Sequence, residues 1–140
     1  MKKLCVVILL LTVLQGKAQQ IDIAIIAKIE SNNNSKAINT TDGGSRGIYQ
    51  IHLSCLSDYN KQTKHVYTTT DLFNESINRK IAVWMFEVRI PALFKAYKIE
   101  STLENKLIAY NAGIGYLIRK KKIPATTLLY IEKYKTYKSI

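Results

Sequence analysis

The stretch NESINRKIAVWMFEVRIPALFKAY, residues 74–97, decides the fold class. Within it Ile77, Ile81, Trp84, Met85, Val88, Ala92 and Leu93 recur at steps of three and four, the repeat of one face of an α-helix. Asn74 or Thr70 stands where a capping side chain is needed. Pro91 lacks an N–H and its ring clashes with the preceding turn, so it is expected to kink or divide this helix. Downstream, a second helical pattern covers about Thr102 to Ala112 and stops at Gly113-Ile114-Gly115, where glycine can take the left-handed conformation. A last helix is expected from Pro124, an acceptable first-turn residue, to about Tyr137. No alternating Val- or Thr-rich segment demands an extensive sheet. Only a short hairpin among Ile48 to Leu53 and Val66 to Thr70 fits that pattern. The chain therefore reads as mainly α.

Upstream the signal is weaker. Ile21 to Ser31 is rich in Ile and Ala, and its periodicity alone does not separate a buried helix from a strand; Ile21-Asp22-Ile23 even alternates. Length, together with Ala24 and Ala27, favours a helix. Asn32 to Gly47, with its Asn run and Asp42-Gly43-Gly44-Ser45, is turn chemistry and reads as a loop. The chain of 140 residues has room for one domain. Its start, Met1-Lys2-Lys3, precedes the apolar run Leu4 to Leu14 and then Gly16-Lys17-Ala18, the pattern of a secretory signal peptide over residues 1–18. That leaves residues 19–140 as the mature domain. The apolar run is well short of the roughly 20 residues that span a bilayer, so no stable transmembrane helix is expected after cleavage.

Cys5 falls inside the leader and Cys55 has no partner in the mature chain, so disulfides do not hold this fold. The histidines are His52 and His65, and no Cys–His set has metal-ligand spacing; neither a metal nor a cofactor is expected. Charge is the clearest bias. Removing Lys2, Lys3 and Lys17 from 21 basic residues leaves 18 against 10 acids, a net +8. Much of it falls late, in Arg119-Lys120-Lys121-Lys122 and in Lys133, Lys135 and Lys138. Such a surface suits anionic polymers or acidic lipid, or it simply solvates the protein. Export argues against nucleic acid as the partner.

Glu30 closes an otherwise apolar helix and is followed by a polar, glycine-bearing loop. A carboxylate there is either an exposed helix-end charge or an active-site acid. If it faces a cleft, apolar neighbours and the negative end of the helix dipole would both raise its pKa, as a general acid requires. Most glycosidases set two carboxylates across the scissile bond. The candidates for a second are Asp42, in a glycine-rich turn where aspartate ordinarily bonds its own backbone, and Asp58, in a polar segment beside Tyr59. Neither is assigned a catalytic role from the sequence.

Three strings change the standing of Glu30: Ile26-Ala27-Lys28-Ile29-Glu30-Ser31, then Gly47-Ile48-Tyr49-Gln50-Ile51, then Ala109-Tyr110-Asn111-Ala112-Gly113-Ile114-Gly115. In this order they resemble the signatures of the soluble lytic transglycosylase family, and Tyr130-Ile131 is similar to that family's tyrosine-valine pair. The resemblance runs from Ile21 to about Tyr134. It departs at Tyr49, where many members carry methionine, at Ile131 for valine, and at Ile114, where a proline is common. It implies a lysozyme-like, mainly helical domain with a substrate cleft and peptidoglycan glycan strands as substrate. It also implies a single glutamate, here Glu30, acting as acid and then base to leave a 1,6-anhydro sugar without water.

The same resemblance carries Ser31, Gln50, Tyr110, Asn111 and Tyr130 over as substrate-binding or orienting residues. Each also has a plain structural alternative: a backbone contact for Ser31, a loop hydrogen bond for Gln50, a helix-end role for Asn111, packing for Tyr130. Trp84, within the apolar stripe, is assigned to the core. A periplasmic or wall-associated enzyme serving a secretion, conjugation or phage apparatus fits the small size. A hydrolytic lysozyme and a silent glycan-binding accessory are the alternatives.

Overall fold

A computed structural model describes residues 20–140. The expected leader therefore lies outside the described residues. The chain opens with α1 (Ile23–Ser31), followed by two short antiparallel strands, β1 (Ile38–Asn39) and β2 (Ser45–Arg46). Then come α2 (Leu53–Thr63), a 3₁₀ turn at Asp71–Phe73, and α3 (Glu75–Trp84). A widened π turn at Met85–Arg89 leads into α4 (Ile90–Tyr97). The chain continues through α5 (Leu103–Ile108), a second π turn at Ala109–Gly113 and α6 (Gly115–Ile118), and closes with α7 (Ala125–Lys138).

Side chains set most of the starts. Asp22 accepts the N–H of Ala24 at the head of α1, Asn74 that of Ile77 in α3, and Thr102 that of Asn105 in α5. At α2 the cap is the ring of His52, whose Nδ1 accepts the N–H of Ser54 at 3.2 Å. Helices α1 and α4 end on non-glycine residues in the left-handed region, Asn32 (φ 53°) and Lys98 (φ 54°). The core is built around Ile26, Leu72, Ile81, Ala82 and Leu107, all fully buried, with Phe94 and Tyr134.

Two expectations need correction. The hairpin is not formed by residues 48–53 and 66–70 but by Ile38–Asn39 against Ser45–Arg46, inside the segment read as loop. Turn-forming residues there mark the bend of a hairpin whose strands are only two residues long, too short for alternation to register. Ile51 merely bridges to Arg46, Leu53 opens α2, and Val66 is almost wholly exposed.

The apolar stripe of residues 74–97 also departs from even spacing. It holds through Ile81 and Trp84 and then shifts to Phe86, Ile90 and Phe94, while Val88 is half exposed. The π turn is the cause. The N–H of Ile90 reaches the carbonyl of Met85, five residues back instead of four, and the extra residue rotates everything downstream. Pro91 follows directly, in the first turn of α4, and the backbone stays helical from Glu75 to Tyr97, so the turn widens just before the residue that lacks an N–H and the helix is not broken there. None of the described helices is long and apolar enough to cross a membrane.

Candidate active site

Glu30 lies in the last turn of α1, whose Ile26 and Ala27 are buried and which packs against α7. Its carboxyl lines a polar cleft together with Asn39 and Asp42 of the hairpin, Gln50, and Tyr110 and Asn111 of the second π turn. Tyr116 and the first residues of α7 complete the wall. An adjoining recess extends from Glu30 and Asn111 past Leu129 and Tyr130 to Lys133. Burial raises the pKa of Glu30 from 4.5 to about 7; the Tyr130 hydroxyl works against this shift and the negative charge of Asp42 adds to it. A carboxyl poised there can donate a proton near neutrality and take one back.

Residues 45–50 carry Gln50 into the cleft, and their shape is imposed from outside by Asn78. This side chain is fully buried on α3. Its Oδ1 accepts the N–H of Tyr49 at 2.9 Å, and its Nδ2 donates to the carbonyls of Arg46 at 2.9 Å and Leu72 at 2.8 Å. Gly47 (φ 78°) allows the approach, since a Cβ there would sit 2.1 Å from the carbonyl oxygen of Leu72. Gln50 itself is left-handed (φ 49°), and its amide donates to the carbonyls of Gly47 at 2.9 Å and Ala37 at 3.3 Å. Its own carbonyl oxygen is the group left to meet a ligand.

Across the cleft, the π turn at 109–113 presents two consecutive side chains. The Tyr110 ring stacks on Phe86 with centroids 4.5 Å apart, and its hydroxyl donates to the carbonyl of Tyr49 at 2.7 Å. Burial, and then the charge of Glu30, hold that phenol well above its ordinary pKa, so it stays a donor. Asn111 accepts the hydroxyl of buried Thr127 on its Oδ1 at 2.8 Å, which orients its amide nitrogen as the remaining donor.

Ser31 and Tyr130 stand differently. The Ser31 hydroxyl donates to the carbonyl of Ile48 at 2.8 Å and accepts the N–H of Asn34 at 3.0 Å, tying the end of α1 to the Gln50 loop. The Tyr130 hydroxyl is buried and, among the described residues, has no partner at full hydrogen-bond geometry. It is nonetheless close enough to Glu30 to favour its ionised form. Its own pKa is raised, by burial first and then by the charge of Glu30. The structure thus gathers Glu30, Gln50, Tyr110 and Asn111 around one cleft, sets Tyr130 behind Glu30, and uses the Ser31 hydroxyl on backbone.

The two aspartates left unassigned by the sequence part company. Asp58 on α2 pairs with Arg89 at 2.5 Å and is not among the cleft residues. Asp42 lines the cleft. Its Oδ1 accepts the N–H groups of Gly44 at 3.1 Å and Ser45 at 3.0 Å, and its own carbonyl meets His52 Nε2 at 2.9 Å. Cys55 is a protonated thiol pushed up to about 12 by burial and by Asp58, and Trp84 packs edge-on to Tyr59. Asn78 was the functional position that sequence reasoning missed altogether. Its signal was an asparagine three and four residues before Ile81 and Ala82, on the buried face of the helix.

A family model described as the transglycosylase SLT domain matches residues 15–129, most of the chain and every cleft residue named above up to Thr127. No curated protein and no solved structure gave a match.

Proposed function

The chain belongs to the transglycosylase SLT domain family, a family of peptidoglycan-cleaving enzymes, and from that premise we propose that it is itself an active lytic transglycosylase using Glu30 as sole proton donor and acceptor. Its bond is the β-1,4 link between N-acetylmuramic acid and N-acetylglucosamine. The observation that carries this reading is the half-buried Glu30 carboxyl, held at a pKa of about 7 on the wall of a polar cleft.

The reaction divides into two proton transfers. Protonated Glu30 gives its proton to the glycosidic oxygen as the bond from that oxygen to the muramic acid C1 breaks. The sugar's own acetamido oxygen covers the positive charge left on C1, so no carboxylate need bond to it. Glu30, now ionised, takes the proton of the muramic acid 6-hydroxyl while that oxygen closes onto C1. The product is a 1,6-anhydro ring, and water is neither consumed nor released. Tyr130 supports both halves: its buried hydroxyl, lacking a full partner, can strengthen its bond to Glu30 as the carboxylate charges. The Gln50 carbonyl and the Asn111 amide suit the hydroxyl and acetamido groups of a glycan. Tyr110 and Ser31 hold the loop that carries Gln50.

The same reading makes residues 1–18 a removed leader and residues 19–140 one mature domain, exported to the periplasm or cell wall. It makes a secretion, conjugation or phage apparatus the recruiting partner. Incubation with purified sacculi tests the core of it. Muropeptides lighter by one water are expected; reducing muramic ends alone would make the protein a hydrolytic lysozyme. Glu30→Gln should cut the rate by roughly 100- to 10,000-fold. Unchanged cleavage by that variant would remove Glu30 from the mechanism, and binding without cleavage by either form would favour a silent accessory.

A further inference from the structure

The cleft holds a second carboxylate that the proton-transfer scheme leaves unused. We propose that Asp42 is a catalytic charge of this site, a fixed anion on the hairpin wall that stabilises the cationic sugar as the glycosidic bond breaks. The proposal rests on the transglycosylase reading and adds a residue to it.

Placement comes first. Glu30 enters the cleft from the end of α1 and Asp42 from the turn joining β1 and β2, both line it, and they stand near enough for the Asp42 charge to raise the Glu30 pKa. Of the two aspartates available, Asp58 is engaged by Arg89, which leaves Asp42 to face the sugar. Its fixation comes next. The turn uses Gly43 (φ 91°) and Gly44 (φ 103°), conformations that L-residues rarely adopt, to aim two N–H groups at Asp42 Oδ1. His52 adds a brace from outside the turn. Its Nδ1 accepts the N–H of Ser54, so Nε2 carries the proton and donates it to the Asp42 carbonyl at 2.9 Å.

The kind of role follows from the same contacts. Partial burial pushes the Asp42 pKa up, but the bonds from Ser45 and Gly44 and the nearby His52 outweigh it and leave the carboxyl below its ordinary value. A carboxylate held that way stays ionised and is a poor base. It therefore acts as a charge, with no proton transferred to it and no bond formed. In the open cleft water screens that charge. A glycan strand lying over Asp42 displaces the water, and the attraction between the anion and the developing cation grows as the local dielectric falls.

Asp42→Asn tests this, because its amide oxygen can accept the same two N–H groups while the charge is lost. In the sacculus assay kcat is expected to fall at least tenfold with little change in KM, and the product is expected to remain anhydro. The pH above which activity declines should also move down. Of the groups around Glu30, which include Tyr130, Tyr110 and Lys133, only the repelling anion has been removed. Asp42→Ser, which keeps an acceptor oxygen, substitutes if the asparagine variant melts early. Wild-type rate and pH profile in a folded neutral variant would overturn the proposal while leaving the Glu30 mechanism standing. Reducing ends made by the wild type and lost in Asp42→Asn would overturn it as well, by making Asp42 a base for water. An inert wild type would instead remove the transglycosylase reading and this role with it.

Discussion

Glu30 costs the protein stability wherever it is charged. The folded value of about 7 lies above the ordinary 4.5, so the native state holds the proton more tightly than the unfolded chain does. That contribution is full below about pH 4.5 and is lost as pH rises through 7, on the order of 3 kcal/mol in all. Glu30→Gln should therefore melt roughly 10–15 °C higher than wild type at pH 8 and within a degree or so of it at pH 4. Equal melting temperatures at both values would mean that the carboxyl is solvated. At this scale the sequence pointed to residues that share the cleft wherever they stand in contiguous strings, as with Glu30 and the Tyr110-Asn111 pair. It named Asp42 as a candidate without deciding its place, since nothing local tells a structural turn aspartate from one that lines the same cleft as Glu30.

Among the elements, α3 does most to shape the cleft, through a residue that lines none of it. Asn78→Ala would take the Asn78 partner from the Tyr49 N–H and the Leu72 carbonyl and leave the Arg46 carbonyl to the N–H of Ile51, so a loss of about 2–5 kcal/mol is expected from urea unfolding. The same variant should lose activity even where it remains folded, because the Gly47–Gln50 loop is no longer held. A folded Asn78→Ala with full activity would show that the loop keeps its shape unaided. Helix identity was readable from the long periodic segment, and the ends of α4 and α7 fall close to where the pattern stops. What was not readable was α2, whose Leu53–Thr63 sequence is too polar to show a stripe, and the two π turns. An inserted residue leaves composition untouched and changes only the phase. The expected burial of Val88 and the observed burial of Phe86 are that phase error.

Across the whole molecule the first and last helices close the fold on each other. α1 packs on α7, and the Asp22 N–H donates to the hydroxyl of fully buried Tyr134 at 2.7 Å, over a separation of 112 residues. Since Glu30 is on one of these helices and Tyr130 on the other, the Glu30 carboxyl and the phenol beside it meet only once the ends have met. The charge distribution acts at this scale too. Arg119, Lys120, Lys121 and Lys122 are exposed, as are Lys133, Lys135 and Lys138, of which Lys135 pairs with Glu104 on the surface. Binding to sacculi should weaken several-fold between about 50 and 300 mM NaCl, as screening shortens the reach of these charges. Salt-independent binding in a pull-down would assign them to solvation alone.

The π turn at Ala109–Gly113 has a consequence for how such a chain can change. Shortening it by one residue would restore an ordinary helix with better hydrogen bonding, and would swing Tyr110 and Asn111 by about 100° away from the cleft. Selection for thermal endurance alone would welcome that deletion, whereas selection for wall cleavage would purge it. The extra residue is thus the point at which backbone economy and the present shape of the cleft wall pull in opposite directions.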